Sequence, residues 1–150
     1  MGARQERRLL ENAAPFMRAG EQVELVAMAK VGSVAKSVGK SVAFGVAVGV
    51  LSGGTMMALP VQAEAYVVLT DRQILLFRSY SGSPGKHIFG APRHLVAITE
   101  PKSGFLLKFQ LYVQGWNQDL ALTVPPLPPS LRKRGVALTG LLPRIVPVSA

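Results

Sequence analysis

The chain has 150 residues, which fits one domain with a modest core and short extensions at either end. It contains no cysteine, so disulfides, thiolate metal sites and cysteine nucleophiles are excluded together. Seventeen Lys and Arg against eight Asp and Glu give a formal charge of +9, a balance that favours anionic partners: lipid headgroups, nucleic acid or an acidic protein.

The positive charges are dispersed. Arg4, Arg7 and Arg8 lie at the start, Lys30, Lys36 and Lys40 flank a glycine-rich stretch, and Arg132, Lys133 and Arg134 lie near the end. The plain alternative to a binding surface is a solvated basic one. The first twenty residues hold arginines but no continuous apolar segment of the signal-peptide kind, so the chain is expected to start in the cytoplasm.

In chain order, residues 3–17 read as a short amphipathic helix with Leu9, Leu10, Ala13 and Phe16 on one face, which Pro15 ends or kinks. Gln22 to Val31 alternates, with Val23, Leu25, Ala27, Ala29 and Val31 on one side, and predicts a strand. Ala65–Thr70 and Gln73–Tyr80 form the clearest hairpin. Asp71-Arg72 sits between them, where Asp71 can bond its own backbone. Residues 81–85 read as a loop, Lys86–Gly90 as a short strand that Pro92 limits to a sheet edge, and His94–Glu100 as another strand.

Phe105 to Gln114 is the cleanest strand pattern. Phe105, Leu107, Phe109, Leu111 and Val113 fill one face, and Lys108, Gln110, Tyr112 and Gln114 the other. Gly115–Asp119 is a turn carrying Trp116, as hinge filler or exposed contact, and Leu120, Leu122 and Val124 alternate again. A stiff proline run, Pro125–Pro129, leads to a helix that Ser130 can cap and that runs to about Leu142. Leu131, Leu138, Leu141 and Leu142 would share its face, while Gly135 weakens it by about 1 kcal/mol. Seven closely spaced strands and one C-terminal helix predict a mainly β sandwich or barrel.

Three stretches resemble a known family. Pro15-Phe16-Met17-Arg18-Ala19-Gly20-Glu21-Gln22-Val23 is similar to an opening motif of small actinobacterial proteins. Val67-Val68-Leu69-Thr70-Asp71-Arg72-Gln73-Ile74-Leu75-Leu76-Phe77 resembles a hairpin common in bacterial PH-like domains, and Leu120–Pro125 resembles that family's closing strand pair. The resemblance spans about residues 15–142. It implies a bent seven-stranded antiparallel sheet, or barrel, closed by the C-terminal helix. It implies no particular function, since this fold hosts lipid, peptide and protein binding, and it brings no catalytic residues. The expected organisation is a helical extension over 1–20, a PH-like domain over 21–142 with an insertion over 32–63, and a tail over 143–150.

The insertion between the first two strands carries the most individual pattern. Ser33, Ser37, Ser41, Gly45, Gly49 and Gly53 recur every four residues, and Ala35, Gly39, Ala43 and Ala47 form a second small-residue row. On a helix these rows allow close crossings of the small-xxx-small type. The same stretch also alternates at period 2, so a strand stays open beside the helix. Residues 41–63 carry no charge, and as one helix they would reach about 34 Å. Gly53-Gly54 and Pro60 interrupt such a span, and a single crossing would put parts of one sheet on opposite sides of a membrane. A re-entering or interfacial hairpin avoids this. Ser37, Ser41, Phe44, Gly45, Gly49, Gly53, Met56 and Met57 are therefore the candidate contacts with membrane or with a second copy. Lys30, Lys36, Lys40, Arg132, Lys133 and Arg134 are the candidate contacts with anionic headgroups. The alternative is a hairpin packed on its own sheet.

Signals for chemistry are weak. Gly39-Lys40-Ser41 mimics a phosphate-binding loop but has Val34 where that motif needs glycine. His87 and His94 have no sequence-near ligand, and Glu21, Glu24, Glu64, Glu100 and Asp119 show no paired acid–base spacing. The expected function is a non-catalytic interaction module without cofactor or metal. Its partners would be copies of itself in a homo-oligomer, an anionic membrane such as the inner face of the plasma membrane, or another protein. A basic nucleic-acid binder and a degenerate phosphate-loop nucleotide binder are the alternatives.

Overall fold

The computed structural model describes residues 2–35, 63–115 and 118–145. Two helices, α1 (Ala3–Ala13) and α2 (Pro129–Leu141), accompany β1 (Val23–Ala35), β2 (Ala63–Thr70), β3 (Gln73–Tyr80), β4 (Ser83–Pro92), β5 (Val96–Ile98), β6 (Lys102–Ser103), β7 (Leu107–Val113) and β8 (Gln118–Val124). The strands form one antiparallel sheet of order β4-β3-β2-β1-β8-β7-β5, with β6 also paired to β7. The mainly β architecture with a C-terminal helix is as expected. Among the described residues the strands number eight rather than seven, and the path is open from β4 to β5 rather than closed into a barrel.

β1 is the strand that joins the two halves. Val23–Val31 pairs with β2, and Lys30–Ala35 pairs with β8. Gly32–Ala35 thus belongs to the sheet, so the segment between β1 and β2 begins at 36 rather than at 32. A bulge between Val23 and Leu25 moves Val23 to the opposite face from Leu25, Ala27 and Ala29, contrary to the single-face pattern.

Both faces of β2 and β3 are buried. One face, with Ala65, Val67, Leu69, Ile74 and Leu76, joins the main core with β5, β7, β8 and Leu138 of α2. The other, with Tyr66, Val68, Leu75 and Phe77, packs under Leu9 and Ala13 of α1. This explains the unbroken apolar runs at Val67–Leu69 and Ile74–Phe77: a strand covered on both sides cannot alternate.

α1 ends at Ala13, and Pro15 falls in a single 3₁₀ turn, Ala14–Phe16. Gln5 Nε2 donates to Gly82 O (2.9 Å), and Asn12 Nδ2 reaches Pro84 O and Gly85 O, which moors α1 to β4. The loop expected over 81–85 is a tight turn at Ser81-Gly82 with positive φ at both residues (50° and 84°), and β4 is correspondingly long. The strand expected over His94–Glu100 shrinks to β5, because Arg93–Leu95 forms a 3₁₀ turn.

α2 starts after Pro128 with Pro129 at its first position; Ser130 lies inside the helix and does not cap it. Its buried residues are Gly135, Leu138 and Thr139, with Leu142 buried just beyond the end, whereas Leu141 is exposed. Gly135 is the closest approach. A Cβ there would lie 2.9 Å from both methyl carbons of Val124. The tail also joins the sheet at its open end: Ile98 N donates to Pro143 O and Ile145 N to Ile98 O.

Two helix glycines should therefore respond oppositely to alanine. Gly135→Ala forces α2 off Val124 and lowers unfolding free energy by about 1–3 kcal/mol. Gly140 has nothing within 4 Å of a Cβ, so Gly140→Ala raises stability by up to about 1 kcal/mol. Urea titrations of both variants check this; equal responses would refute the packing role of Gly135.

Candidate functional site

A cleft of about 700 Å³ opens where the chain leaves α1 and meets the ends of β2, β3 and β4. Its floor is aromatic. The Phe16 ring stacks on His87 (4.1 Å between centroids, 18° between planes) and meets Phe77 edge-on at 5.9 Å. Burial pushes the His87 imidazole below its usual value, partly offset by a backbone hydrogen bond to Phe89.

Glu21 holds one wall of the cleft together. Its carboxylate is buried, 7% exposed, and accepts from Arg18 N (3.0 Å), Thr70 Oγ1 (2.6 Å) and Gln73 Nε2 (2.9 Å). Burial by itself pushes the group up. The three hydrogen bonds and the nearby Arg72 charge outweigh it and hold Glu21 below its ordinary 4.5. Thr70 Oγ1 also accepts Arg72 N and Gln73 N, so Thr70, rather than Asp71, closes the β2–β3 turn. Asp71 instead accepts Gln22 N at 2.9 Å and returns its own N–H to Gln22 O. The cleft's two carboxylates are thus committed to its frame, while Arg18 and Arg72 remain exposed at the rim.

A second feature lies on the outer face of the other half-sheet. The pairs Lys30↔Thr123, Thr123↔Lys108 and Lys108↔Lys102 align β1, β8, β7 and β6 in one row on one face. Lys30, Lys108 and Lys102 are all exposed. Glu64, opposite Lys30 on β2, ends the row. Beyond Glu100 the sequence has Asp119 as its sole carboxylate residue against Lys102, Lys108, Arg132, Lys133, Arg134 and Arg144. Asp119 is fully buried.

The strand expected from Phe105 starts instead at Leu107. Phe105 sits at the tip of the β6–β7 turn, 80% exposed, and leaves the core face on which the period-2 pattern placed it. Tyr112, expected outward, is buried, and burial with the Asp119 charge pushes its phenol up.

Of the expected headgroup contacts, Lys30 stands in the lysine row and Lys133 is exposed on α2. Arg132 and Arg134 are engaged within the fold. Arg132 donates to Phe105 O, Gly104 O and Ser103 Oγ, and Arg134 to Val26 O and Glu6. Lys36 and Lys40 lie outside the described residues, as do Ser37, Ser41, Phe44, Gly45, Gly49, Gly53, Met56, Met57 and Trp116. Lys102, Lys108 and Phe105 are not among the candidate contacts that the sequence pattern gives; Ser103-Gly104 is the turn signal that marks Phe105 as a tip residue.

Among the described residues no three His, Asp or Glu side chains are grouped to hold a metal ion, and no helix is long and apolar enough to cross a membrane. Neither the protein-family models nor the curated proteins compared with the chain give a match.

The Glu21 network sets an acid limit on stability. Its folded value is depressed, so its contribution is fully present above about pH 4.5 and is lost as pH falls through the folded value. Glu21→Gln should cost about 1–3 kcal/mol at pH 7 and flatten the fall in stability below pH 4.5. Thermal melts of both proteins from pH 3 upward, at about one-unit steps, test this; parallel curves would remove Glu21 as a major acid-sensitive group.

Proposed function

We propose that this protein is a non-catalytic, PH-like interaction module that docks on an anionic membrane surface. The observation that carries the reading is the row Lys30–Thr123–Lys108–Lys102, whose three lysines are all exposed. Lys102 and Lys108 stand directly opposite each other, an arrangement that costs stability unless an anion relieves it. A bilayer rich in anionic lipid does so along the whole row, with each lysine near the surface worth about 1 kcal/mol.

Electrostatic attraction alone gives reversible association, and firm attachment takes a second, apolar element. The uncharged stretch over 41–63 belongs to the same proposal as one source of it.

Co-sedimentation with vesicles tests the reading. The chain should partition onto vesicles holding about 30% anionic lipid, lose most of that binding in about 0.5 M salt, and ignore purely zwitterionic vesicles. The triple variant Lys30→Gln, Lys102→Gln, Lys108→Gln should bind about 100-fold more weakly while melting no lower than the parent. Salt-independent binding, or a triple variant that binds as the parent does, would refute the lysine row. Salt-sensitive binding to duplex DNA in place of vesicles would turn the reading to nucleic acid.

A further inference from the structure

We propose that Phe105 is a membrane-insertion point: the β6–β7 turn places this one ring into the interfacial layer of an anionic bilayer while the lysine row meets the headgroups. The inference rests on the docking reading above and adds the apolar contact and the orientation of the sheet.

The turn is short and its tip has an unusual occupant. Ser103 pairs with Leu107, leaving Gly104, Phe105 and Leu106 to make the reversal, with Gly104 N donating to Leu106 O. Phe105 is the most exposed large hydrophobic side chain among the described residues, at 80%. A phenylalanine held in water at a loop tip gains nothing for the fold, and interfaces are where aromatic anchors find their partner.

The tip is held from behind. Arg132, on the first turn of α2, donates to Phe105 O (3.0 Å), Gly104 O (2.9 Å) and Ser103 Oγ (3.1 Å). α2 is itself fixed against the sheet by Gly135 on Val124 and by buried Leu138. The ring is therefore presented on a pre-ordered backbone, which removes part of the ordering cost of binding.

Charge complementarity selects the occupant. Lys102 precedes the turn and Lys108 follows it, and no carboxylate residue occurs from 101 to 118. Leu127, 69% exposed, leaves the sheet at the same end, since Leu107 pairs with Val124. One aromatic tip, an exposed leucine and flanking lysines match the layered chemistry of a bilayer surface, apolar below and anionic at headgroup level.

The absence of cysteine makes a direct test possible. Phe105→Cys and, as control, Gln114→Cys, exposed at the far end of β7, each create a single labelling site for a polarity-sensitive fluorophore. On vesicles with about 30% anionic lipid the label at 105 should shift to the blue and be quenched by bilayer-embedded quenchers, while the label at 114 should do neither. Unlabelled Phe105→Ser should partition about tenfold more weakly than the parent, and Phe105→Trp should restore binding. Circular dichroism and melting of each variant confirm folding.

If the chain binds vesicles yet the label at 105 stays in water and Phe105→Ser binds normally, the insertion is overturned and the docking reading stands. If the chain binds no anionic vesicle, both fall. If light scattering shows an oligomer that Phe105→Ser dissociates, the ring serves contact between copies, which also overturns the proposal.

Discussion

Everything in this fold follows from the way β1 is shared. Its first part pairs with β2 and its last part with β8, so between Glu24 and Ala29 the β8 side of the strand has no strand partner among the described residues. An antiparallel sheet cannot leave such a row of backbone groups open beside its core. α2 lies against that stretch, and Arg134 donates to Val26 O at 3.0 Å. The approach of α2 in turn requires Gly135 to pass Val124 without a side chain. A residue that lowers helix propensity is thus retained because packing contributes more than propensity does.

Much of the sheet was legible in the sequence. The β2–β3 hairpin is where it was expected because Ala65–Thr70 and Gln73–Tyr80 are unambiguous strand formers around a two-residue turn. The C-terminal helix after the proline run was equally clear. What periodicity could not supply was the number of covered faces. It assigned one face to β1 and missed that Val23, Val26 and Met28 pack with α1 on the other. It also carried the β7 pattern two residues too far, because Phe105 continues the alternation although it lies in a turn that Arg132 bonds from α2. Turn chemistry was read from residue type alone, which favoured Asp71. Thr70 closes the turn since Asp71 is needed by Gln22, a partner 49 residues away.

Helix placement distinguishes the two halves of the sheet. α1 covers the outer face of β2 and β3 and brings Phe16 onto His87. The outer face of the other half-sheet carries the exposed Lys30, Lys102 and Lys108. The cleft near Glu21 is a sizeable concavity, but its carboxylates are tied to backbone and side-chain donors of the fold. For that reason the proposal rests on the lysine row rather than on the cavity.

Within the charge of +9, four arginines are placed differently from four of the lysines. Arg93 donates to Thr70 O and Leu141 O, Arg132 to Gly104 O and Phe105 O, Arg134 to Val26 O, and Arg144 to Thr139 O and Leu142 O. Each of these four guanidiniums ties a strand, turn or helix end to another part of the chain, a task that suits a planar fork with several donors. Lys30, Lys102, Lys108 and Lys133 are exposed instead. An ammonium on a flexible stem is a poor clamp and a good contact for diffuse negative charge. Composition therefore overstates the charge free at the surface: Arg93, Arg132, Arg134 and Arg144 are tied into the fold, while Lys30, Lys102, Lys108 and Lys133 stay exposed.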